Sequence, residues 1–205
     1  MSDMLTFVIT VFTGFFAIMN PVANIPIFLS LVQDADVETQ KRISKKATLT
    51  AFFIVVSFVV LGKFIFELFG ITIPAFKITG GILVFYVGFE MLQSKKSAVT
   101  HLKNAKIDED IAVSPLAIPI LAGPGTIVTA MNFVANSDYI KIGIVILVFG
   151  VMCFITYVFF NMSEYLLKKI GNNVIAVIGK IMGLILAIIG TNMIIEGLKL
   201  AFNLK

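Results

Sequence analysis

The chain has 205 residues, 59% of them hydrophobic and only 14% charged, with a mean hydropathy of +1.02. Soluble domains are about 45–50% apolar, so a water-solvated globular fold is excluded. The net charge of +4 sits in short segments between apolar runs, which argues for topology-setting loop charge and against a nucleic-acid surface.

Six apolar stretches follow in chain order: 5–32, 47–66, 74–92, 114–134, 140–165 and 174–202. Each is long enough to cross a hydrocarbon core of about 30 Å, which takes about 20 helical residues. The first begins after Ser2 and Asp3, without a basic leader, and is expected to be a span and not a cleaved signal. The connecting segments carry the charge, at 34–46, 62–70, 93–110, 135–141, 164–173 and the C-terminal tail. The loops after spans one, three and five hold Lys41, Arg42, Lys45, Lys46, Lys95, Lys96, Lys103, Lys106, Lys168 and Lys169. The other side holds Lys63, Lys141, Lys199 and Lys205, so both termini are expected outside the cytoplasm.

Spans one and four differ from the rest. The first contains Asn20-Pro21-Val22-Ala23-Asn24-Ile25-Pro26, and the fourth Pro119-Ile120-Leu121-Ala122-Gly123-Pro124-Gly125-Thr126. An interior proline removes a backbone donor and clashes with the preceding turn, costing about 3 kcal/mol. Both helices are therefore expected to break, and unwound backbone at membrane depth survives only where protein or a wet cavity satisfies it. The breaks lie three spans apart. In addition, Lys77-Ile78-Thr79-Gly80-Gly81-Ile82-Leu83 matches Lys180-Ile181-Met182-Gly183-Leu184-Ile185-Leu186 at five of seven positions. The expected fold is thus an all-α membrane protein, a single transmembrane domain of six helices. It comprises two inverted three-helix repeats (1–93 and 113–205) joined by a cytoplasmic linker (94–112), with helices one and four broken.

Broken helices present free N–H groups at one new end and free carbonyls at the other, with matching partial charges. That arrangement suits a small zwitterion, its carboxylate on the N–H ends and its ammonium on the carbonyls. Asn20 and Asn24 add amides, Thr126 a hydroxyl, and Gly123 and Gly125 leave room for close approach. Neither break contains Asp or Glu, so no metal site is expected there. Glu67, Glu90, Glu164 and Glu196 lie near span ends and read as interfacial carboxylates, and Lys77 as a snorkelling cation. Lys180 lies about two turns inside its span, with no assigned role. Gly179, Gly183 and Ala187 are spaced for close helix packing, Cys153 sits in an apolar run as a packing residue, and His101 is a solvated loop residue.

The segment 20–28 (Asn-Pro-Val-Ala-Asn-Ile-Pro-Ile-Phe), taken with Ser114 to Thr126 and its Gly-Pro-Gly, resembles the MarC family of six-helix inner-membrane proteins over essentially the whole chain. The family takes its name from a multiple-antibiotic-resistance locus. The resemblance implies a bacterial or archaeal plasma-membrane protein related to SnatA-type transporters of small neutral amino acids such as glycine and alanine. It places the paired motifs, and with them the substrate site, on Asn20, Pro21, Asn24, Gly123, Pro124, Gly125 and Thr126. Ala23 stands where the family's first motif has glycine. Nothing points to a large drug pocket, so antibiotic efflux is not inferred.

The leading expectation is a secondary transporter, coupled to a proton or ion gradient and working by alternating access. No Walker A pattern or cofactor signature is present. A passive channel built on the same half-helices is the alternative, as is a regulatory subunit using the charged loop around 93–112. An enzyme is not expected: the single His is in a loop and no paired carboxylates occur at mid-depth. A homo-oligomer is compatible with the sequence.

Overall fold

The computed structural model describes residues 2–32, 35–93, 112–135 and 137–203. Among the described residues the chain is helical throughout, with no strand. Helix α1 (Ser2–Met19) stops at Asn20, whose φ of 37° is the left-handed geometry that ends helices. Pro21 follows and cannot continue the helix. After four turn residues, α2 (Ile25–Leu31) starts with Pro26 in its first turn, where a missing N–H costs nothing. The unwound stretch is therefore 20–24, shorter than the expected 20–26.

The fourth stretch is broken too. The segment Ala112–Leu121 departs from helical geometry at Ser114 (φ −132°, ψ 119°) and Ile118 (φ −125°, ψ 123°). Each precedes a proline, Pro115 or Pro119, and proline pushes its predecessor out of the helical region. Helix α5 (Pro124–Val134) begins afresh after Gly123.

The remaining helices are α3 (Val37–Phe69), α4 (Ile73–Leu92), α6 (Tyr139–Asn161), α7 (Ser163–Ile170) and α8 (Asn172–Phe202). Among the described residues, α3, α4, α6 and α8 contain the four stretches long and apolar enough to cross a membrane by themselves; α1 is a shorter apolar helix.

Two boundaries differ from expectation. The charged stretch up to Lys46 is not a loop: the Asp36 carboxylate accepts the Thr39 N–H at 2.9 Å and starts α3 there. The helix then runs through Lys41, Arg42, Lys45 and Lys46, all good helix formers, and it also continues through 62–69 to Gly70. The fifth apolar stretch ends at Asn161, and α7 is a separate amphipathic helix carrying Glu164, Lys168 and Lys169. The linker 94–112, apart from Ala112, lies outside the described residues, with Lys95, Lys96, His101, Lys103 and Lys106.

Between helices in lipid, apolar burial supplies little net drive, so close van der Waals packing must hold the bundle. The main core joins Phe15 of α1, Phe28 of α2, Ala47, Ala51 and Val55 of α3, and Phe149 and Phe160 of α6. Phe28 and Phe160 stack at 4.5 Å with planes only 4° apart. The tightest seam joins α4 to α8. A methyl on Gly81 would lie 2.6 Å from the Gly190 carbonyl oxygen, and one on Gly88 2.5 Å from that of Gly183. Gly183, Gly190 and Gly197 recur every seven residues along α8, each facing α4 backbone. Gly179 lies off this seam, opposite Ala23.

Candidate functional site

The helices that flank the two breaks, α1 and α5, pack together. Going along α1 from Gly14 to Ile18, the facing positions on α5 run backwards from Thr129 to Gly125. A methyl on Gly125 would sit 3.0 Å from the Ile18 Cδ1, two residues before Asn20. Ala23 of the first break packs on Gly179 of α8, its Cβ 3.6 Å from where a methyl would stand.

The breaks are not alike. The first is stitched closed by its own amides: the Asn20 Oδ1 accepts the Ala23 N–H at 3.2 Å, and the Asn24 Nδ2 donates to the Met19 carbonyl at 2.7 Å. Backbone bonds from Asn24 to Asn20 and from Ile25 to Val22 complete it. The second break has a backbone bond from the Ala122 N–H to the Ala117 carbonyl at 2.8 Å, but its α5 end stays open. Gly123 has no side chain to cap α5, Pro124 has no N–H, and Ile127 is the first residue of α5 to bond back, to the Gly123 carbonyl at 3.1 Å. The N–H groups of Gly125 and Thr126 thus have no partner among the described residues, at the positive end of an eleven-residue helix.

Burial sharpens this. Asn20 is 3% exposed and its Nδ2 has no hydrogen-bond partner, although its Oδ1 is used. Thr126 is 2% exposed. Pro21, Gly123 and Gly125 are buried, Asn24 is half-buried, and Pro124 is exposed. Asn24 therefore serves the backbone of the break, while Asn20 keeps a free donor.

Two polar residues that the sequence reading passed over belong to the same face. Thr129, 2% exposed, has an unpartnered Oγ1, and Asn132 an unpartnered Oδ1. With Thr126 they recur every third residue of α5, a spacing that keeps them on neighbouring turns of one side. Unpaired buried polar atoms cost about 1–3 kcal/mol each; one lies in the first break (Asn20) and two on α5 after the second (Thr129, Asn132), while a fourth, Asn161 Oδ1, lies apart at the end of α6.

The charged residues lie elsewhere. The Lys77 ammonium is 2.6 Å from the Glu196 carboxylate, bridging α4 and α8. Glu90, Lys180 and Glu67 are exposed, and Glu164 lies 4.0 Å from Lys168 within α7. Cys153 is buried in the core, as a packing residue should be. No cluster of three metal-binding side chains occurs among the described residues.

A helical bundle whose long helices are apolar on their outer faces, with its unpaired polar atoms gathered inside, is an integral membrane protein. The MarC family integral membrane protein model matches residues 5–202, and the chain belongs to that family. It is 40% identical to the UPF0056 membrane protein YvbG of Bacillus subtilis, covering 96% of both chains. It is 38% identical to the UPF0056 membrane protein PH0760 of Pyrococcus horikoshii, over 97% of each. The UPF0056 membrane protein MJ1677 of Methanocaldococcus jannaschii is 36% identical, over 95% of this chain and 97% of the relative. No solved structure matches significantly.

Proposed function

We propose that this protein is a secondary transporter of small neutral amino acids in the plasma membrane, with both termini extracytoplasmic. The observation that carries the reading is the unpartnered, buried Asn20 Nδ2, two residues beyond Ile18, which faces Gly125 in the first turn of α5. Three donors, the Asn20 amide and the Gly125 and Thr126 N–H groups, suit one carboxylate. The Thr129 hydroxyl and the carbonyl end of segment Ala112–Leu121 offer acceptors for an ammonium. The site has no charged side chain, which favours a zwitterion over a free anion or cation.

Two inverted three-helix repeats, six spans in all, fit this reading. Pro21 and Pro124 are 103 positions apart, and so are Lys77 and Lys180. The same shift turns the Gly81–Gly190 pairing into Val87–Leu184, one residue from the Gly88–Gly183 contact. Repeats of this kind rock about a midplane site, and a proton or ion gradient would drive the cycle.

Uptake of labelled glycine and alanine into proteoliposomes tests the reading. Saturable uptake with counterflow is expected, together with its loss in Asn20→Ala and Gly125→Leu. Uptake without counterflow would indicate a channel. Absence of amino-acid binding would remove the substrate class, and wild-type transport by both variants would remove the site.

A further inference from the structure

A groove of about 420 Å³ runs along the outer seam between α3 and α6, away from the helix breaks. Its walls come in three levels. Lys45 and Tyr157 form one end; Thr48, Leu49, Cys153 and Phe154 the middle; Phe52 and Gly150 the far end. Lys45 to Phe52 is seven residues, about 10 Å along a helix. Gly150 makes the hollow: a methyl there would press to 3.3 Å on the Phe52 ring. Leu49 and Phe154 are 46% and 65% exposed, so the groove opens on the apolar outside of the bundle. The hydrogen bond from Asn161 Nδ2 to Ser44 Oγ, 3.2 Å, ties the two helices together just beyond the Lys45 end.

The chemistry is graded along the groove. One end has an ammonium and a phenol; the rest is aromatic and aliphatic. Thr48 does not interrupt it, because its hydroxyl bonds back to the Ser44 carbonyl at 2.9 Å. Lys45 is exposed and has no carboxylate partner among the described residues. It belongs to the first turns of α3, where Lys41, Arg42, Lys45 and Lys46 outnumber the single acid Glu38.

We propose that this groove is a binding site for one anionic phospholipid, its headgroup phosphate on Lys45 and Tyr157 and an acyl chain lying over Cys153, Phe52 and Gly150. The occupant follows from charge complementarity and place: a basic end continuous with an apolar trough, on a face turned to lipid. Basic pockets between membrane helices hold anionic headgroups in this manner.

The chain contains no tryptophan, so Phe154→Trp, at an exposed position, installs a single indole reporter in the groove. The full-length variant is reconstituted in bilayers of phosphatidylcholine and phosphatidylglycerol, with bromine on the chains of one lipid at a time. Brominated phosphatidylglycerol should quench the introduced indole with a relative affinity about fivefold above brominated phosphatidylcholine, the effect of about one lysine at an anionic surface. Lys45→Gln should bring the ratio to about one, whereas Lys199→Gln, an equal charge change on α8, should leave it unchanged. Leu49→Trp repeats the measurement if Phe154→Trp fails to fold. Equal quenching by both lipids, or an equal loss with Lys199→Gln, overturns the proposal. So does an indole shielded from every brominated lipid, because a second protein copy would then cover the groove.

Discussion

The Lys77 ammonium lies 2.6 Å from the Glu196 carboxylate, joining the start of α4 to the last turns of α8. The lysine side chain is 13% exposed and the glutamate 57%, so water screens one partner and the pair is a modest clasp. In a double-mutant cycle of Lys77→Met and Glu196→Gln, denaturation should give a coupling of about 0.5–1 kcal/mol. A coupling of zero would mean the contact contributes nothing.

The glycine seam makes a sharper claim. Gly81→Ala and Gly190→Ala each drive a methyl onto opposing backbone, and overpacking of that kind costs about 1–3 kcal/mol. Gly143→Ala on α6 meets nothing within 4 Å, so it should stabilise by about 0.5–1 kcal/mol through helix propensity alone. Thermal unfolding in one detergent ranks all three, and a neutral Gly190→Ala would show that the helices stand further apart.

At Asn20, backbone and side chain can be separated. Asn20→Gly accepts the φ of 37° without strain, whereas Asn20→Ala adds a left-handed penalty of about 1–2 kcal/mol. The glycine variant should be the more stable of the two, yet both should lose amino-acid binding, by about tenfold or more for one lost hydrogen bond to a charged group. Calorimetric titration with glycine and alanine checks this. Binding retained in Asn20→Gly would confine Asn20 to shaping the turn.

Thr129→Val keeps the shape and deletes an unpartnered buried hydroxyl. Removing such a group should raise stability by about 1 kcal/mol. Transport should fall at the same time if Thr129 faces the solute, and unchanged transport would place its hydroxyl outside the path.

Asp36 gives a pH dependence. Its hydrogen bonds to Thr39 hold its pKa below the usual 3.8. A lowered folded pKa means the cap stabilises fully above the usual value and is lost as pH falls through the folded one. Amide exchange in the first turns of α3 should therefore speed up as pH drops below about 4, after correction for intrinsic rates. Asp36→Asn, which caps without charge, should flatten that dependence.

Much of this was legible because proline acts locally. Pro115 and Pro119 dictate the extended geometry of the residues before them, and Pro21 cannot continue α1, so both breaks could be located from composition. Helix ends set by capping were less visible: Asp36 starts α3 well outside the apolar stretch, because a helix need not end where its apolar run does. The inequality of the breaks was invisible, since it depends on Asn24 reaching back to Met19 while Gly123 has nothing to reach with. Thr129 and Asn132 leave a signal in their three-residue spacing from Thr126, fainter than that of the prolines and glycines because polar residues at this spacing need not share a site. Cys153 read correctly as packing, but no local pattern announces the groove it lines, which forms only when α3 meets α6.

The seven-residue spacing of Gly183, Gly190 and Gly197 limits how the bundle can move. Sliding α8 along α4 by one or a few residues would set α8 side chains against α4 backbone, such as that of Phe85, where only hydrogen now fits, until a full seven-residue step restored the match. The two helices are thus keyed like a shaft in a slot. Any working cycle must carry them as one piece, and the freedom to open and close belongs to the segments around them, the broken ones first.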